Sequence, residues 1–328
     1  MKQTLLTGIK PTGTPHIGNY FGAILPALEN AKKYDESYYF IADYHALNTI
    51  GSAEEMKKYS YEIAATWLAC GLDPDKIVFY RQSDISEVFE LNWILCNLTP
   101  KGLMNRAHAY KAMVEKNLAA GEEPDSGVNM GLYNYPILMA ADILLFNATL
   151  VPVGQDQKQH VEMAKEIARY FNNKYGRNLV VPSELITENV NVISGIDGRK
   201  MSKSYGNTIE IFAKPEVLKK SIFSIVTDSS LPTDPKPTGH MLFELYKLFA
   251  NEEEVLEMRK KFEEGIGWGE VKKLVFERVN EYLTPLREKY EKLIDDHEYL
   301  DAVLKRGAEK ARKVSVETIT RIRKAIGV

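Results

Sequence analysis

The segment from Gly8 to Asn19, with the sequence GIKPTGTPHIGN, has residue types suited to binding phosphate. It follows a short apolar run and precedes a predicted helix. Gly13 allows a sharp turn, and Gly18 allows a ligand to approach the backbone where the helix begins. Free N–H groups at a helix N-terminus favour anions, and His16 and Asn19 can add neutral donors. The segment is a candidate phosphate site, although a plain turn would also explain its glycines.

Two known phosphate-binding patterns do not fit this segment. Gly8 and Gly13 have the spacing of a P-loop, but Thr14 and Pro15 occupy the positions of its lysine and its hydroxyl residue. A dinucleotide-binding fingerprint is absent as well. Phosphate binding here must therefore use another geometry.

A second candidate is the segment from Gly198 to Ser204, GRKMSKS, which places Lys200 and Lys203 three residues apart. The flanking hydroxyl groups and glycine indicate a mobile loop. Such a loop can fold over a triphosphate, and its lysines can neutralise the charge that develops when the α-phosphorus is attacked. An exposed surface loop is the alternative when this segment is considered alone.

A third candidate is Asp142, the one carboxylate in the apolar segment from Tyr135 to Phe146. A helix that is apolar on all sides should be buried. Burying an unpaired carboxylate is costly, so Asp142 must have partners. A salt bridge or a cap on a neighbouring helix would satisfy it as well as a ligand would.

A fourth candidate is the polar cluster GQDQKQH, which begins at Gly154 directly after an apolar run. The glycine turn would place the cluster at the start of the next helix. His160 and Glu162 lack the spacing of metal ligands, so we predict no metal site. We interpret His160 as a structural residue.

The elements that must position these residues alternate along the first two-thirds of the chain. Short runs of β-branched and aromatic residues, typical of strands buried on both faces, separate longer helical patterns. The predicted strands are Thr4–Thr7, Tyr38–Ile41, Ile77–Tyr80, Thr149–Val153 and, at one edge, Leu179–Val181. The predicted helices are Gly18–Tyr34, a helix that begins at Ser52 with a capping box to Glu55 and stops before Gly71, Ser86–Asn97 and Gln157–Phe171. This alternation predicts an α/β fold with a doubly wound parallel sheet, which binds ligands at the carboxyl ends of its strands.

The pattern changes after Phe212, and no convincing strand follows Glu216. The helices predicted there are Glu216–Ile225, Met241–Phe249, Asn251–Gly265, Glu270–Lys292 and one or two long helices within Asp296–Ile326. We therefore expect a second, all-helical domain.

Bulk composition excludes several classes of protein. A hydrophobic content of 45% and a charged content of 27% are typical of globular proteins, and a net charge of −3 does not favour a protein that grips nucleic acid over its whole surface. We find no signal-peptide pattern and no apolar run of about 18 residues, so we predict no membrane span and a cytoplasmic location. Cys70 and Cys96 predict neither a disulfide framework nor a zinc site.

The motifs His16-Ile-Gly-Asn19 and Lys200-Met-Ser-Lys-Ser204 together resemble the two signature motifs of class I aminoacyl-tRNA synthetases. The resemblance implies a Rossmann-like nucleotide-binding fold. It also implies a reaction that joins a carboxylate to the α-phosphate of ATP and expels pyrophosphate, with Mg²⁺. By this resemblance His16, Asn19, Lys200 and Lys203 would be the catalytic residues.

The stretch Met139-Ala-Ala-Asp142 resembles the bacterial tryptophanyl branch of these synthetases. The resemblance implies that Asp142 accepts a hydrogen bond from the indole N–H and that Met139 packs against the ring. Phenylalanine would leave the acceptor unpaired, at a cost of about 1–3 kcal/mol. The implied function is that of a tryptophan–tRNA ligase, with tryptophan, ATP and tRNA(Trp) as partners and a homodimeric assembly. A tyrosine–tRNA ligase and a paralogue that binds tryptophan without charging tRNA are the alternatives.

The resemblance extends to further site residues. Gln157 would contact the ammonium group of the amino acid, while Gly154 and Asp156 would lie near the ribose. The implied ATP-binding residues are Lys10, Thr12, Gly18, Asn19, Gly154, Asp156, Gln157, Lys200, Met201, Ser202 and Ser204. The implied tryptophan-binding residues are Leu6, Gly8, His45, Tyr135, Met139, Asp142 and Gln157.

Two residues depart from the family pattern. Lys10 stands where many members have glutamine, which puts the polar contacts to the α-groups of tryptophan in doubt, and Leu6 replaces a frequent aromatic residue. Two cysteines cannot hold the four-cysteine iron–sulfur cluster of some members, so we predict no iron–sulfur cluster.

The resemblance also predicts the domain organisation. The last helix would pack back on the sheet, so that residues 1–195 and 296–328 form the nucleotide-binding domain. Residues 196–295 would form the helical domain, which usually reads the anticodon. The segment Lys200–Ser204, named the KMSKS loop below, would lie at the junction.

Overall fold

The structure, a computed structural model, describes residues 2–186 and 193–328, except for the side chain of Asp156. Within these residues, five strands form one parallel sheet in the order β3-β2-β1-β4-β5. The strands are β1 Thr4–Ile9, β2 Glu36–Ile41, β3 Val78–Arg81, β4 Leu150–Val153 and β5 Ser183–Ile186. The chain adds strands first on one side of β1 and later on the other, so the winding direction changes between β1 and β4. Ligands of doubly wound folds bind outside the carboxyl ends of the strands at such a point.

The connections between strands are helical, as the alternating pattern predicts. In the first part of the chain the helices are α1 Ile17–Asn19, α2 Leu25–Ala31, α3 Asp43–Ala46, α4 Ala53–Ala69, α5 Glu87–Cys96, α6 Lys101–Met104, α7 His108–Ala119, α8 Met130–Leu145 and α9 Lys158–Tyr175. A π-helical turn, Tyr20–Ile24, joins α1 to α2, and 3₁₀ turns span Gln82–Asp84, Gln155–Gln157 and Lys203–Tyr205. The predicted capping box at Ser52 is confirmed in one half: the Ser52 hydroxyl accepts a hydrogen bond from the backbone N–H of Glu55 at 3.1 Å, but the reciprocal bond from the Ser52 N–H to the Glu55 carboxylate is not formed among the described residues.

The sheet is covered on both faces, since successive side chains of a strand point to opposite sides. Leu5 and Tyr39 belong to the core on one face, whereas Leu6 and Phe40 belong to the core on the other. This double burial explains why the strands are almost continuously apolar.

The predicted edge strand Leu179–Val181 is wrong, and the edge strand is β5, which begins at Ser183. The side chain of Asn172 forms hydrogen bonds with both backbone groups of Leu179. It accepts from the N–H of Leu179 at 2.9 Å and donates to its carbonyl at 2.8 Å. Leu179 therefore has no free backbone group for pairing with β4.

After Phe212, where every residue is described, the structure contains helices and no strand. These helices are α10 Pro215–Phe223, α11 Met241–Phe249, α12 Glu252–Glu264, α13 Trp268–Ile294 and α14 His297–Ile326. Helix α14 is a single helix, and it packs against β3. None of the helices in the described parts of the chain is both long enough and apolar enough to cross a membrane.

Candidate active site

His16 begins the first helix and is held there by a reciprocal pair of hydrogen bonds with Asn19. The imidazole Nδ1 of His16 accepts from the backbone N–H of Asn19 at 3.3 Å, and the amide oxygen of Asn19 accepts from the backbone N–H of His16 at 3.1 Å. This capping box fixes both side chains at the carboxyl edge of the sheet, just beyond β1. The two predicted neutral donors are therefore adjacent.

The protonation state of His16 follows from its surroundings. Burial, together with the positive charge of Lys203, lowers the pKa of His16 from 6.5 to about 4. The imidazole is therefore neutral near pH 7. Because Nδ1 accepts a hydrogen bond, the proton lies on Nε2, and the ring presents an N–H donor on that side.

The KMSKS loop lies against the segment that contains His16, although about 190 residues separate them in sequence. The ammonium group of Lys203 donates to the carbonyl of Thr12 at 3.0 Å. A second link is the hydrogen bond of 2.9 Å from the N–H of Ile17 to the carbonyl of Ile209. The structure thus brings the two predicted phosphate-binding motifs together.

Gly18 leaves room for the imidazole of His16 beside the KMSKS loop. A side-chain carbon at Gly18 would lie 2.9 Å from the imidazole of His16 and 3.5 Å from the sulfur of Met201. Met201 is buried, so its side chain holds the KMSKS loop against the protein core. A larger residue at position 18 would first collide with the imidazole of His16, within the same segment.

The lysines of the KMSKS loop have different environments. Lys203 is near the carboxylates of Glu62 and Glu210, which partly offset the effect of burial, and the net result is a lowered pKa for the Lys203 ammonium. Lys200 is exposed, and its carbonyl accepts a hydrogen bond from the side chain of Asn207 at 3.1 Å. Both lysines are exposed, and Lys203 is in addition docked against the first motif through its hydrogen bond to Thr12.

Asn207 stabilises the shape of the loop and was not among the predicted site residues. Its amide oxygen accepts from the backbone N–H of Ser202 at 2.8 Å, and its amide nitrogen donates to Asp197 at 2.7 Å. The hydroxyls of Ser202 and Ser204 lie 2.8 Å apart. Asn207 is buried, and only its place three residues after the motif could have drawn attention to it.

Asp142 is 2% exposed and has the partners that its burial requires. The side-chain nitrogen of Gln82 lies 2.9 Å from each carboxylate oxygen, and Nε2 of His45 lies 2.9 Å from Oδ2. Burial raises the pKa of Asp142, whereas hydrogen bonds from His45 and Gln82 act in the opposite direction. The expectation that Asp142 has partners is confirmed, and the predicted residue His45 is one of them.

Tyr135, His160 and Gln157 form a hydrogen-bonded chain beside this carboxylate. The Tyr135 hydroxyl bonds to Nε2 of His160, and Nδ1 of His160 lies 2.8 Å from the amide oxygen of Gln157. The ring of Tyr135 also makes an edge contact with His45, with 6.4 Å between the ring centroids. His160 therefore links two predicted tryptophan-binding residues, one on α8 and one at the start of α9.

The remaining predicted residues lie on the strand ends and loops around these groups. Leu6 is buried in β1, and Gly8 lies two residues further on, where a side-chain carbon would approach the ring of Phe40 to 2.5 Å. Met139 is partly buried on α8, and Lys10 is exposed. Gly154 begins the 3₁₀ turn at the end of β4, and the side chain of Asp156 in that turn lies outside the described atoms.

Comparison with known proteins agrees with this arrangement. The family model for class I tRNA synthetases (W and Y) matches residues 1–284. A tryptophan–tRNA ligase of Neisseria meningitidis is 50% identical over 330 residues, which cover 100% of this chain and 98% of the relative. A tryptophan–tRNA ligase of Bordetella parapertussis is 50% identical over 332 residues, which cover 100% of this chain and 74% of the relative.

A solved structure is similar over almost the whole chain. It is a tryptophanyl-tRNA synthetase of Campylobacter jejuni complexed with ADP and tryptophan, and it has a TM-score of 0.91 and 44% identity. The superposition covers 99% of this chain and 100% of that one. The chain therefore belongs to the class I aminoacyl-tRNA synthetases, within the bacterial tryptophan–tRNA ligase family.

Proposed function

We propose that the chain activates tryptophan with ATP and then charges tRNA(Trp), using the residues assembled at the carboxyl edge of the sheet. In the first step the carboxylate of tryptophan attacks the α-phosphorus of ATP, and the bond to the β-phosphate breaks to release pyrophosphate. In the second step the terminal hydroxyl of the tRNA attacks the carbonyl of tryptophanyl-adenylate, and AMP leaves. The contact between Lys203 and Thr12 carries this proposal, because it joins the two phosphate-binding motifs in one site.

On the ATP side, His16 and Asn19 hold the triphosphate. His16 is neutral near pH 7 and offers its Nε2–H, while the N–H groups of the first helical turn add positive potential. Lys10, Thr12 and Gly18 are the other contributors from this segment, and Gly154, Asp156 and Gln157 approach the nucleotide from the end of β4. Neutral donors hold the substrate without binding the departing pyrophosphate too tightly.

Lys200 and Lys203 stabilise the negative charge that grows on the departing pyrophosphate. Both lysines are exposed; Lys203 is already docked on the first motif, whereas Lys200 would reach the phosphates when the loop moves. Met201, Ser202 and Ser204 shape the loop around them. Mg²⁺ belongs to the substrate, as the Mg²⁺–ATP complex, and it supplies further charge neutralisation when bound.

On the amino-acid side, Asp142 accepts a hydrogen bond from the indole N–H, and Met139 packs on the ring. Leu6, Gly8 and His45 form the remaining walls, and the ring of Phe40 packs directly against Gly8, where a side-chain carbon would collide with it. Tyr135 and Gln157 contact the ammonium group, in positions fixed by His160. Tyrosine and phenylalanine lack an indole N–H and would leave Asp142 less well satisfied.

We also infer the domain organisation and the assembly. Residues 1–195 and 296–328 would form the nucleotide-binding domain, in keeping with the packing of α14 on β3, and residues 196–295 the helical domain. A homodimeric assembly is proposed because the resemblance to this family implies one. A cytoplasmic location is proposed because the substrates ATP and tRNA are there.

Amino-acid-dependent exchange of pyrophosphate into ATP tests the proposal, with tryptophan, tyrosine and phenylalanine assayed in parallel. We expect exchange with tryptophan alone. Exchange with tyrosine would keep the reaction and overturn the assignment of the pocket. Absence of exchange with all three, together with binding of labelled tryptophan, would indicate a protein that binds tryptophan without charging tRNA.

The role of Asp142 is tested by the Asp142→Ala variant in the same assay. Selectivity for tryptophan should fall far more than the apparent affinity for ATP changes, because the carboxylate faces the indole and not the nucleotide. Equal effects on both substrates would contradict the assigned role.

A further inference from the structure

Gln82 makes two contacts to Asp142 that no motif in the sequence predicts. It is 0% exposed and lies in the 3₁₀ turn that follows β3. Its amide nitrogen is 2.9 Å from Oδ1 and 2.9 Å from Oδ2 of Asp142, although 60 residues separate the two positions. The amide nitrogen of Gln82 is therefore shared between the two carboxylate oxygens of Asp142.

The two oxygens of Asp142 are not equivalent in this arrangement. Oδ2 accepts from Gln82 and also from His45, whose Nε2 must be protonated because an ionised carboxylate only accepts. Oδ1 accepts from Gln82 alone among the described residues. A carboxylate oxygen accepts about two hydrogen bonds, so Oδ1 is the atom with capacity left for an indole N–H.

The orientation of the Gln82 amide is set by electrostatics. Its oxygen is buried and has no hydrogen-bond partner among the described residues. If the amide were flipped, that oxygen would face the carboxylate and repel it. The nitrogen must therefore face Asp142, even though the amide oxygen is left unsatisfied in the process.

Apart from His45, the titratable groups near Asp142 do not supply a positive charge in place of the amide. Tyr80 of β3 is fully buried, and burial and the carboxylate of Asp142 raise its pKa far above the ordinary value, so its phenol stays neutral. Tyr38 of β2, close to Tyr80, also has a raised pKa because of burial. Asp43 of α3 is occupied by hydrogen bonds from the backbone N–H and the hydroxyl of Ser83.

We propose that Gln82 is a positioning residue for tryptophan selection: with His45, it keeps Asp142 ionised and turns Oδ1 toward the indole N–H. The proposal rests on the proposed function, in which Asp142 receives the indole. It predicts that a change of hydrogen-bonding group at residue 82 alters kcat/KM for tryptophan through Asp142. Residue 82 itself does not contact the nucleotide.

The isosteric variant Gln82→Glu provides the sharpest test, because it changes one donor group into an acceptor. While the introduced carboxyl group is protonated, it can still donate one hydrogen bond to Asp142. When it ionises, two carboxylates face each other, and such pairs hold one proton to an unusually high pH. We therefore expect kcat/KM for tryptophan to fall by about 10-fold or more between pH 6 and pH 8.5 in this variant, relative to the unaltered protein. The variant Gln82→Met should be impaired at every pH in this range, with no added pH dependence.

The measurement is tryptophan-dependent pyrophosphate exchange from pH 6 to pH 8.5, with tryptophan varied at saturating ATP and ATP varied at saturating tryptophan. The matched control is Gln3→Glu, the same change at an exposed position just before β1, and its profile should follow that of the unaltered protein. Circular dichroism at each pH checks that the variants remain folded. As a second readout, an analogue with sulfur in place of the indole N–H should be discriminated less strongly by Gln82→Met than by the unaltered protein.

The outcomes separate the two proposals. No exchange in the unaltered protein would overturn the proposed function itself. Exchange in the unaltered protein, with a folded Gln82→Glu variant whose tryptophan profile is unchanged, would overturn the role of Gln82. Equal loss for tryptophan and ATP at all pH values would also overturn it, because a general packing defect would then explain the loss.

Discussion

Gly307 of α14 lies directly against the carbonyl group of Phe79 in β3. A side-chain carbon built at Gly307 would overlap that carbonyl oxygen and lie only 2.5 Å from the carbonyl carbon. The last helix of the chain is therefore attached to the sheet by a backbone-to-backbone contact that only glycine permits. Strand β3 is an edge strand, so this helix also covers a part of the sheet that would otherwise be open.

The variant Gly307→Ala should consequently lose stability. The obstructing atoms belong to the backbone of a strand, and they cannot move aside as the end of a side chain could. We expect the free energy of unfolding to fall by about 1–3 kcal/mol or more, as for other overpacked interiors. Urea denaturation followed by circular dichroism would measure the change.

Gly269→Ala is the matched control for this prediction. Gly269 lies near the start of α13, and a side-chain carbon there would meet no atom within 4 Å. Alanine should leave the stability unchanged or raise it by up to about 1 kcal/mol, the usual gain for this replacement in a helix. Equal effects of the two substitutions would show that the contact between α14 and β3 does not limit side-chain size.

Lys203→Ala should slow tryptophan activation. Removing a donor that stabilises developing charge usually lowers kcat by about 100-fold to 1,000-fold, and Lys203 is already placed against Thr12 in the first motif. The KM for tryptophan should change little, because Lys203 is not among the residues assigned to the indole pocket. Steady-state pyrophosphate exchange would measure both constants. Lys116→Ala, at an exposed position on α7, is the control, and a similar fall in kcat for the two variants would contradict the role of Lys203.

The structural features that were predicted correctly, namely a helix start after His16 and a buried Asp142 with partners, carry local signals. His16 and Asn19 lie three residues apart at the start of a helix, and that spacing alone permits the observed capping box. Asp142 stands out because it is a lone carboxylate in an apolar helix, and its burial follows from that context. In both cases neighbours in sequence determine the environment of the residue.

Gln82 and His160 could not be recognised in the same way. Gln82 contacts Asp142 only because β3 and α8 are brought together by the fold, and a single glutamine after a strand has no distinguishing pattern. His160 was predicted to be structural, and the structure shows what it supports, since it bonds to both Tyr135 and Gln157. Contacts between distant segments were thus the part that the sequence did not reveal.

The edge strand was misplaced for a related reason. The run Leu179–Val181 has suitable residues for a strand, but the side chain of Asn172, seven residues earlier, bonds to the backbone of Leu179. Strand propensity describes side chains and carries no information about such competition for backbone groups.

The low pKa of His16 leads to a prediction about stability in acid. In the unfolded chain a histidine binds a proton near pH 6.5, whereas folded His16 does so only near pH 4. As the pH falls from 6.5 to 4, His16 therefore becomes protonated in the unfolded state but stays neutral in the folded state, and the free energy of unfolding decreases. The separation of the two pKa values corresponds to a loss of up to about 3 kcal/mol, and above pH 6.5 this contribution to stability is fully present.

The variant His16→Asn isolates this effect, because asparagine is a good helix cap and does not titrate. Urea denaturation of both proteins at pH 7.5, 6, 5 and 4.5 should show that the unaltered protein loses more stability on acidification than the variant does. Other groups that titrate in this range, such as Glu62, are the same in both proteins and cancel in the difference. If the free energy of unfolding depended on pH in the same way in both proteins, folded His16 would accept a proton as readily as an exposed histidine. That result would contradict its proposed role as a neutral donor near pH 7.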